Sequence, residues 1–148
     1  MQAGTTFSAQ DALVAVMVAA SAADANLDTT ELLLITRLLD ALPAFDGYDQ
    51  DRLRMISQTV FDLLEEEDGI DALVGLVKEA LPEGFNETAY ALACDIVAAD
   101  GSARMSELEF LNILRHDLRV GRLAAAAIER GARARFLRLP EPGPEDVG

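Results

Sequence analysis

Residues 15–39 read AVMVAASAADANLDTTELLLITRLL, and residues 91–115 repeat much of that pattern as ALACDIVAADGSARMSELEFLNILR. Each stretch runs an alanine-rich segment into Ala-Ala-Asp and places a glutamate seven positions after the aspartate. At an offset of 76 positions, seven residues are identical: Ala15/Ala91, Ala22/Ala98, Ala23/Ala99, Asp24/Asp100, Glu31/Glu107, Leu32/Leu108 and Leu38/Leu114. An internal duplication of a helix–acidic turn–helix unit is the simplest explanation. We therefore expect residues 12–39 to superpose on residues 88–115, with two acidic turns that share a function.

The composition of the chain favours helices packed closely against one another. Of its 148 residues, 51% are hydrophobic but only 5% are aromatic, and the apolar residues are mainly alanine, leucine and valine. Alanine and leucine are strong helix formers, whereas few of the aromatic residues that favour strands compete with them. A chain of this length can bury a substantial core as one domain. We predict an all-α fold, a single compact bundle of seven helices, with a domain over residues 1–138 and a flexible, acidic Pro-Gly tail over residues 139–148.

Apolar spacing and capping residues indicate where the helices lie. Two segments, residues 12–23 and 89–99, are almost entirely apolar. A helix without a polar face belongs in the interior, so we expect the first of these at the centre of the bundle. Short polar residues that accept hydrogen bonds from exposed helical N–H groups mark helix starts. On this basis we expect caps at Ser8, Asp28, Asp68, Asn86 and Ser106.

The charge of the chain is strongly negative and unevenly distributed. Twenty-six acidic and twelve basic residues give a formal net charge of −14, so most of the surface repels a phosphate backbone. We therefore expect no nucleic-acid partner. Eight arginines and four acidic residues lie between Arg104 and Arg138, which gives this region +4 and the rest of the chain −18. The segregation fits a solvated arginine-rich last helix, and it also fits a surface for an acidic protein partner or for a second copy in a homodimer.

The single cysteine and the length of the apolar runs indicate the cellular compartment. Cys94 is the single cysteine, and it lies in the apolar run ALACDIVAA, where a thiol behaves as a small buried hydrophobe. The longest apolar run is far shorter than the ~20 residues that span a bilayer. The N-terminus also lacks a basic segment ahead of a signal-like core. We expect a soluble, cytoplasmic protein without a transmembrane segment.

The first acidic turn carries oxygen ligands at alternating positions. Asp24, Asn26 and Asp28 have the spacing that opens an EF-hand calcium loop, but the glycine and the bidentate glutamate that this loop requires are missing. A looser site remains, in which Glu31 lies one helical turn beyond Asp28 and closes on a cation held by Asp24 and Asn26. Oxygen ligands of this kind suit calcium, magnesium or manganese. The alternative is structural, because Asp28 and Glu31 also fit a capping box.

The second acidic turn offers fewer ligands. Its candidate metal residues are Asp100 and Glu107, whereas Arg104 replaces the capping aspartate of the first turn and would repel a cation. The leading aspartate of each turn follows an apolar helix, where the macrodipole disfavours negative charge. An acid placed twice at such a position indicates a bound cation or a required turn, and Asp100-Gly101 is itself a turn signal. We expect the first turn to bind a cation more strongly than the second.

The duplicated Ala-Ala-Asp turns between apolar helices resemble the tellurite-resistance TerB family, over roughly residues 12–136 of this acidic chain. The resemblance implies a compact helical bundle with pseudo-two-fold halves and an acidic cluster that binds metal. It also implies a role in tellurite and other stress responses, or beside co-chaperone modules. The metal residues that it implies are Asp24, Asp28, Glu31, Asp100 and Glu107. The chain departs from the family pattern at Ala25, where glycine is favoured, and at Arg104, where an acid is common.

Residues for catalysis are sparse. His116 is the single histidine, so a nucleophile–base pair with Cys94 has little support, and the chain contains neither Glu-x-x-His pairs nor a glycine-rich phosphate loop. Two function classes remain. The first is a non-enzymatic acidic helical module that acts in stress or oxyanion resistance through divalent-cation-dependent contact with a protein partner. The alternative is a small metal-dependent hydrolytic enzyme that uses the acidic turns, which the shortage of histidine disfavours.

Overall fold

The computed structural model describes residues 7–21, 27–101 and 104–142. Its seven α-helices are α1 (Ala9–Ser21), α2 (Thr29–Ala41), α3 (Arg52–Leu64), α4 (Gly69–Ala80), α5 (Asn86–Asp100), α6 (Met105–Asp117) and α7 (Arg122–Arg135), with a short 3₁₀ turn over Pro43–Phe45. No strand occurs in these ranges, which confirms the all-α prediction. None of the helices in them has the length and apolar character needed to cross a membrane. Of the expected tail, residues 139–142 are described, and they are exposed and follow α7 without regular structure.

Helices α1 and α5 form the centre of the bundle. All residues of α1 from Asp11 to Ser21 are buried, and α5 is buried almost continuously from Ala89 to Val97. The two helices pack against each other; α1 also contacts α2, α3, α4 and α6, and α5 contacts α2, α6 and α7. A helix that is apolar on all sides must be covered on all sides. The central position expected for the first apolar segment is confirmed.

The two copies of the sequence repeat correspond to the helix pairs α1–α2 and α5–α6. Helices α2 and α6 begin and end at positions that differ by the repeat offset of 76. The buried residues are Ile35 and Leu39 in α2 and Glu107, Phe110 and Leu114 in α6, and the equivalent of each in the other helix is partly buried. Superposition of the two halves stays a prediction, because Asp24 lies outside the described residues.

The cap expected at Ser8 is confirmed. The cap expected at Asp68 is confirmed in its position but not in its hydrogen bond. Ser8 immediately precedes α1, and Asp11 lies in its first turn. Ser8 Oγ accepts a hydrogen bond from Asp11 N at 3.0 Å, and Asp11 Oδ2 accepts one from Ser8 N at 3.1 Å. This reciprocal pair satisfies N–H groups that have no partner within the helix. Asp68 precedes α4 as expected, but its side chain makes no capping hydrogen bond.

Two other expected caps are wrong. Helix α6 begins after Arg104 rather than at Ser106, and the carboxylate of Glu107 accepts a hydrogen bond from Arg104 N at 2.8 Å. Asn86 is the first residue of α5 rather than its cap, and its Nδ2 donates to the carbonyl oxygen of Leu118 at 2.9 Å. The side chain of Asn86 therefore joins α5 to the end of α6. Local capping signals cannot reveal such a contact, because its partner is 32 residues away.

A buried carboxylate ties α1 to the start of α3. Asp11 is 1% exposed, and its oxygens accept hydrogen bonds from Arg52 Nε at 3.0 Å, Arg52 Nη2 at 2.7 Å and the Tyr48 hydroxyl at 3.1 Å. Burial disfavours the charged carboxylate, but the hydrogen bonds from Arg52, Ser8 and Tyr48 outweigh it and hold the pKa of Asp11 below its ordinary value. Bidentate pairing of this kind fixes geometry as well as charge.

We expect Asp11→Asn to lower the free energy of unfolding at pH 7 by about 2 kcal/mol, because charge-assisted hydrogen bonds to a buried group are lost. Since the folded-state pKa of Asp11 is lowered, its contribution is present above the ordinary pKa of 3.8 and disappears as the pH falls through the folded value. Urea denaturation followed by circular dichroism at pH 7 and at pH 3 measures both effects. Arg54→Met, which changes an exposed arginine of α3 two positions after Arg52, is the control. Equal stability of parent and Asp11→Asn at pH 7 would contradict the role of this pair.

Candidate functional site

Asp28 and Glu31 form a reciprocal pair at the start of α2. Asp28 Oδ1 accepts a hydrogen bond from Glu31 N at 2.8 Å, and Glu31 Oε1 accepts one from Asp28 N at 3.1 Å. These bonds satisfy two of the N–H groups at the helix start, so the capping box expected for this pair is confirmed. Asp24 and Asn26, the other residues proposed for the first turn, lie outside the described residues.

The second turn has only one of the two reciprocal hydrogen bonds found in the first turn. Asp100 is the last residue of α5, and Gly101 follows with a φ of 80°, a left-handed conformation that glycine adopts without strain. The turn expected at Asp100-Gly101 is therefore present. Glu107 is 4% exposed, and its carboxylate accepts the hydrogen bond from Arg104 N. A guanidinium has no acceptor atom, so Arg104 cannot return the bond as Asp28 does in the first turn.

Asp28 and Glu31 of the first turn lie close to Asp100 of the second, where α2 contacts α5. One small cavity, of about 30 Å³, is lined by Asp28, Thr30, Glu31, Leu34, Ile96, Ala99 and Asp100. Such a volume accommodates about one water-sized occupant. The sequence predicts two separate turn sites, whereas the structure places carboxylates of both turns around a single cavity.

Burial and neighbouring negative charge both act on Glu31. Burial raises the pKa of Glu31, the hydrogen bond from Asp28 N opposes this effect, and the negative charges of Asp28, Asp100 and Glu107 raise it further. Four of the six residues proposed from the sequence as metal ligands therefore interact electrostatically in the folded protein. We call these four residues, Asp28, Glu31, Asp100 and Glu107, the acidic cluster. A cation beside them would relieve the repulsion.

The acidic cluster does not by itself form a metal centre. Within the described ranges, no group of three or more histidine, cysteine, aspartate or glutamate side chains is arranged so that it could hold a metal ion. A complete cation site would need further oxygen ligands, and Asp24 and Asn26 are the residues of the turn that could supply them. The side chain of Glu107 is engaged with Arg104 N, so it acts on the cluster through its charge.

The single cysteine and the single histidine are not placed for nucleophilic catalysis. Cys94 is buried in α5, and burial raises its pKa to about 12, so its thiol stays protonated and unreactive at neutral pH. His116 is exposed in the last turn of α6, and its Nδ1 lies 2.8 Å from the carbonyl oxygen of Asn112.

Sequence reasoning missed a second set of polar contacts, between α5 and α7. Asp95 forms a salt bridge with Arg135, and the Tyr90 hydroxyl donates a hydrogen bond to Glu129 Oε2 at 2.5 Å. Burial raises the pKa of Asp95, although the hydrogen bond and the charge of Arg135 partly offset it. The available signal was an aspartate inside the apolar run ALACDIVAA. A buried charge of this kind requires a partner on another helix.

Comparison with known proteins adds no assignment. The chain matches no protein-family model, no curated protein and no solved structure. The resemblance drawn from the duplicated turns therefore stays a prediction, and the site rests on its own geometry.

We expect the stability of the parent protein, relative to Glu31→Gln, to increase as the pH falls from 7 towards 4.5, the ordinary pKa of glutamate. The folded-state pKa of Glu31 is raised, so protonation relieves a destabilisation that is fully present only above the folded value. Glutamine keeps an acceptor for Asp28 N and removes the charge. Urea denaturation at a series of pH values gives the difference, and Glu87→Gln, in the exposed first turn of α5, is the control. If the parent instead lost stability relative to Glu31→Gln as the pH falls over this range, the unfavourable environment of the Glu31 carboxylate would be contradicted.

Proposed function

We propose that the protein is a non-enzymatic helical module that contacts a protein partner through a divalent cation held between its two acidic turns. The observation that carries this proposal is the acidic cluster. Asp28, Glu31 and Asp100 line one cavity, and burial together with the charges of Asp28, Asp100 and Glu107 raises the pKa of Glu31. Uncompensated repulsion of this kind costs stability, and cation binding would recover it. The cavity beside Glu31 and Asp100 has room for one small occupant.

The donor set indicates the class of cation. Carboxylate and amide oxygens favour hard divalent ions, so calcium, magnesium or manganese suit this site better than a thiolate-seeking metal. In the proposed site, Asp28, Glu31 and Asp100 line the cavity, and Asp24 and Asn26 complete the ligand set from the first turn. Glu107 adds negative charge from the start of α6.

Exposed apolar side chains support a protein partner. Leu32 and Leu33 follow the first turn on α2, and Met105 and Leu108 follow the second turn on α6; all four are exposed. Large apolar side chains at the surface beside a charged centre are typical of an interface with a polar rim. The cation would then bridge the module to an acidic group of the partner, with these side chains packed around it.

The biological setting belongs to the same proposal. The resemblance to the tellurite-resistance TerB family supports a role in stress or oxyanion resistance within the cytoplasm. The hydrolytic alternative needs a base near the metal. His116 stands 11 positions after the start of α6, or about 16 Å along the helix axis, so this histidine is poorly placed to serve the turns.

We expect chelator-treated full-length protein to bind calcium or manganese with measurable heat in isothermal titration calorimetry. Glu31→Gln and Asp100→Asn should each weaken binding about tenfold or more, because each removes one charge from the shared cavity. Asp71→Asn, in the exposed first turn of α4, should bind as the parent does.

Two results would overturn the shared site. The first is a parent protein that binds none of calcium, magnesium and manganese. The second is an Asp100→Asn variant with parental affinity, because the cation would then involve the first turn alone.

A further inference from the structure

A groove of about 520 Å³ lies between α5, α6 and α7. It is separate from the cavity at Glu31 and Asp100, although Gly101 and Leu108 line one part of it and directly follow Asp100 and Glu107 in the chain. Buried side chains of α5 and α7 form its floor, including Cys94, Val97 and Ala132. Leu111 and Phe136 line it further out and are half-buried. The volume falls within the range of small-molecule sites, which are typically apolar with a few polar groups.

The edge of the groove presents apolar surface to solvent. Leu108 is 47% exposed on α6, and Leu137, in the irregular segment after α7, is 75% exposed. A ligand lying along the groove would cover both side chains and remove their apolar area from water. This burial is the main source of affinity for an apolar chain.

The polar groups at the groove have a positive excess. Arg115 and Arg133 line it together with one acidic residue, Glu129, whose carboxylate accepts the hydrogen bond from Tyr90. Among the residues that the structure describes, Arg133 has no hydrogen-bond or ion-pair partner. In contrast, the cavity of the acidic cluster is lined by three carboxylates and no basic residue. The groove therefore has the opposite charge character to most of a chain whose net charge is −14.

The floor of the groove is uncharged. Burial raises the pKa of the Cys94 thiol to about 12 and raises that of the Tyr90 hydroxyl still further above neutral, so both groups stay protonated. The floor therefore offers no ion-pair partner to a second charged group of a ligand. The geometry suits a molecule with one anionic end and one apolar end.

We propose that this groove binds an amphipathic monocarboxylate, of which an unbranched medium-chain fatty acid is the simplest example. The carboxylate pairs with Arg115 and Arg133 through charge-assisted hydrogen bonds, and the alkyl chain lies along Val97, Leu108 and Leu137. This site uses no cation, so a titration in the presence of chelator tests it separately from the proposed function of the acidic turns. Leu108 is the one side chain that both proposals use.

The absence of tryptophan from the chain makes binding directly observable. Leu108→Trp places a single reporter at the groove, and Leu33→Trp places one at a comparably exposed position on α2 that does not line it. Each variant is titrated with decanoate and with 1-decanol, below the concentration at which decanoate forms micelles and in the presence of chelator. We expect a saturable fluorescence change for Leu108→Trp with decanoate and none for Leu33→Trp. Decanoate should bind roughly tenfold more tightly than decanol, because only the carboxylate can pair with arginine.

Charge variants test the assignment of the carboxylate. In the Leu108→Trp background, Arg115→Gln combined with Arg133→Gln should remove the preference for decanoate and leave the affinity for decanol unchanged. Arg122→Gln, an exposed arginine of α7 that does not line the groove, should retain the preference. Circular dichroism checks that each variant is folded, and Leu137→Trp replaces Leu108→Trp if the latter is not. No saturable response in the folded groove reporter, an equal response in Leu33→Trp, or an undiminished preference in the double arginine variant would overturn the proposal.

Discussion

The packing of α1 against α5 is the contact on which the rest of the structure depends. Both helices are rich in alanine and lack a continuous polar face, so each must be covered by protein on every side. Helices α2, α3, α4 and α6 cover α1, whereas α2, α6 and α7 cover α5. Because α2 contacts α5 as well as α1, the start of α2 lies against the end of α5, and the two acidic turns meet there.

Each central helix also buries one aspartate that pairs with an arginine of a covering helix. Asp11 of α1 pairs with Arg52 of α3, and Asp95 of α5 pairs with Arg135 of α7. Replacing such pairs by apolar residues is often neutral or stabilising, so their value to a fold lies more in fixing geometry than in adding stability. Here one pair joins the start of α3 to α1, and the other joins the end of α7 to α5. Without such pairs, an apolar bundle would have several packings of similar free energy.

The sequence was most informative where the signal is local. Apolar periodicity predicted the all-α class and the helix number, and side-chain spacing predicted the reciprocal pair of Asp28 and Glu31 and the turn at Asp100-Gly101. It failed at Asn86, whose partner is distant in the chain, and at Ser106, because α6 begins after Arg104 and Glu107 accepts the hydrogen bond at its start. The convergence of the two turns and the groove between α5, α6 and α7 were also invisible, because both arise from contacts between distant segments.

The central claim is that the two acidic turns form one cation site rather than two. Crystals grown or soaked with manganese, measured for anomalous scattering, test it most directly. We expect one anomalous peak between the carboxylates of Glu31 and Asp100, where the shared cavity lies. Separate peaks at the two turns, or no peak beside either carboxylate at a manganese concentration that saturates the protein in solution, would contradict it.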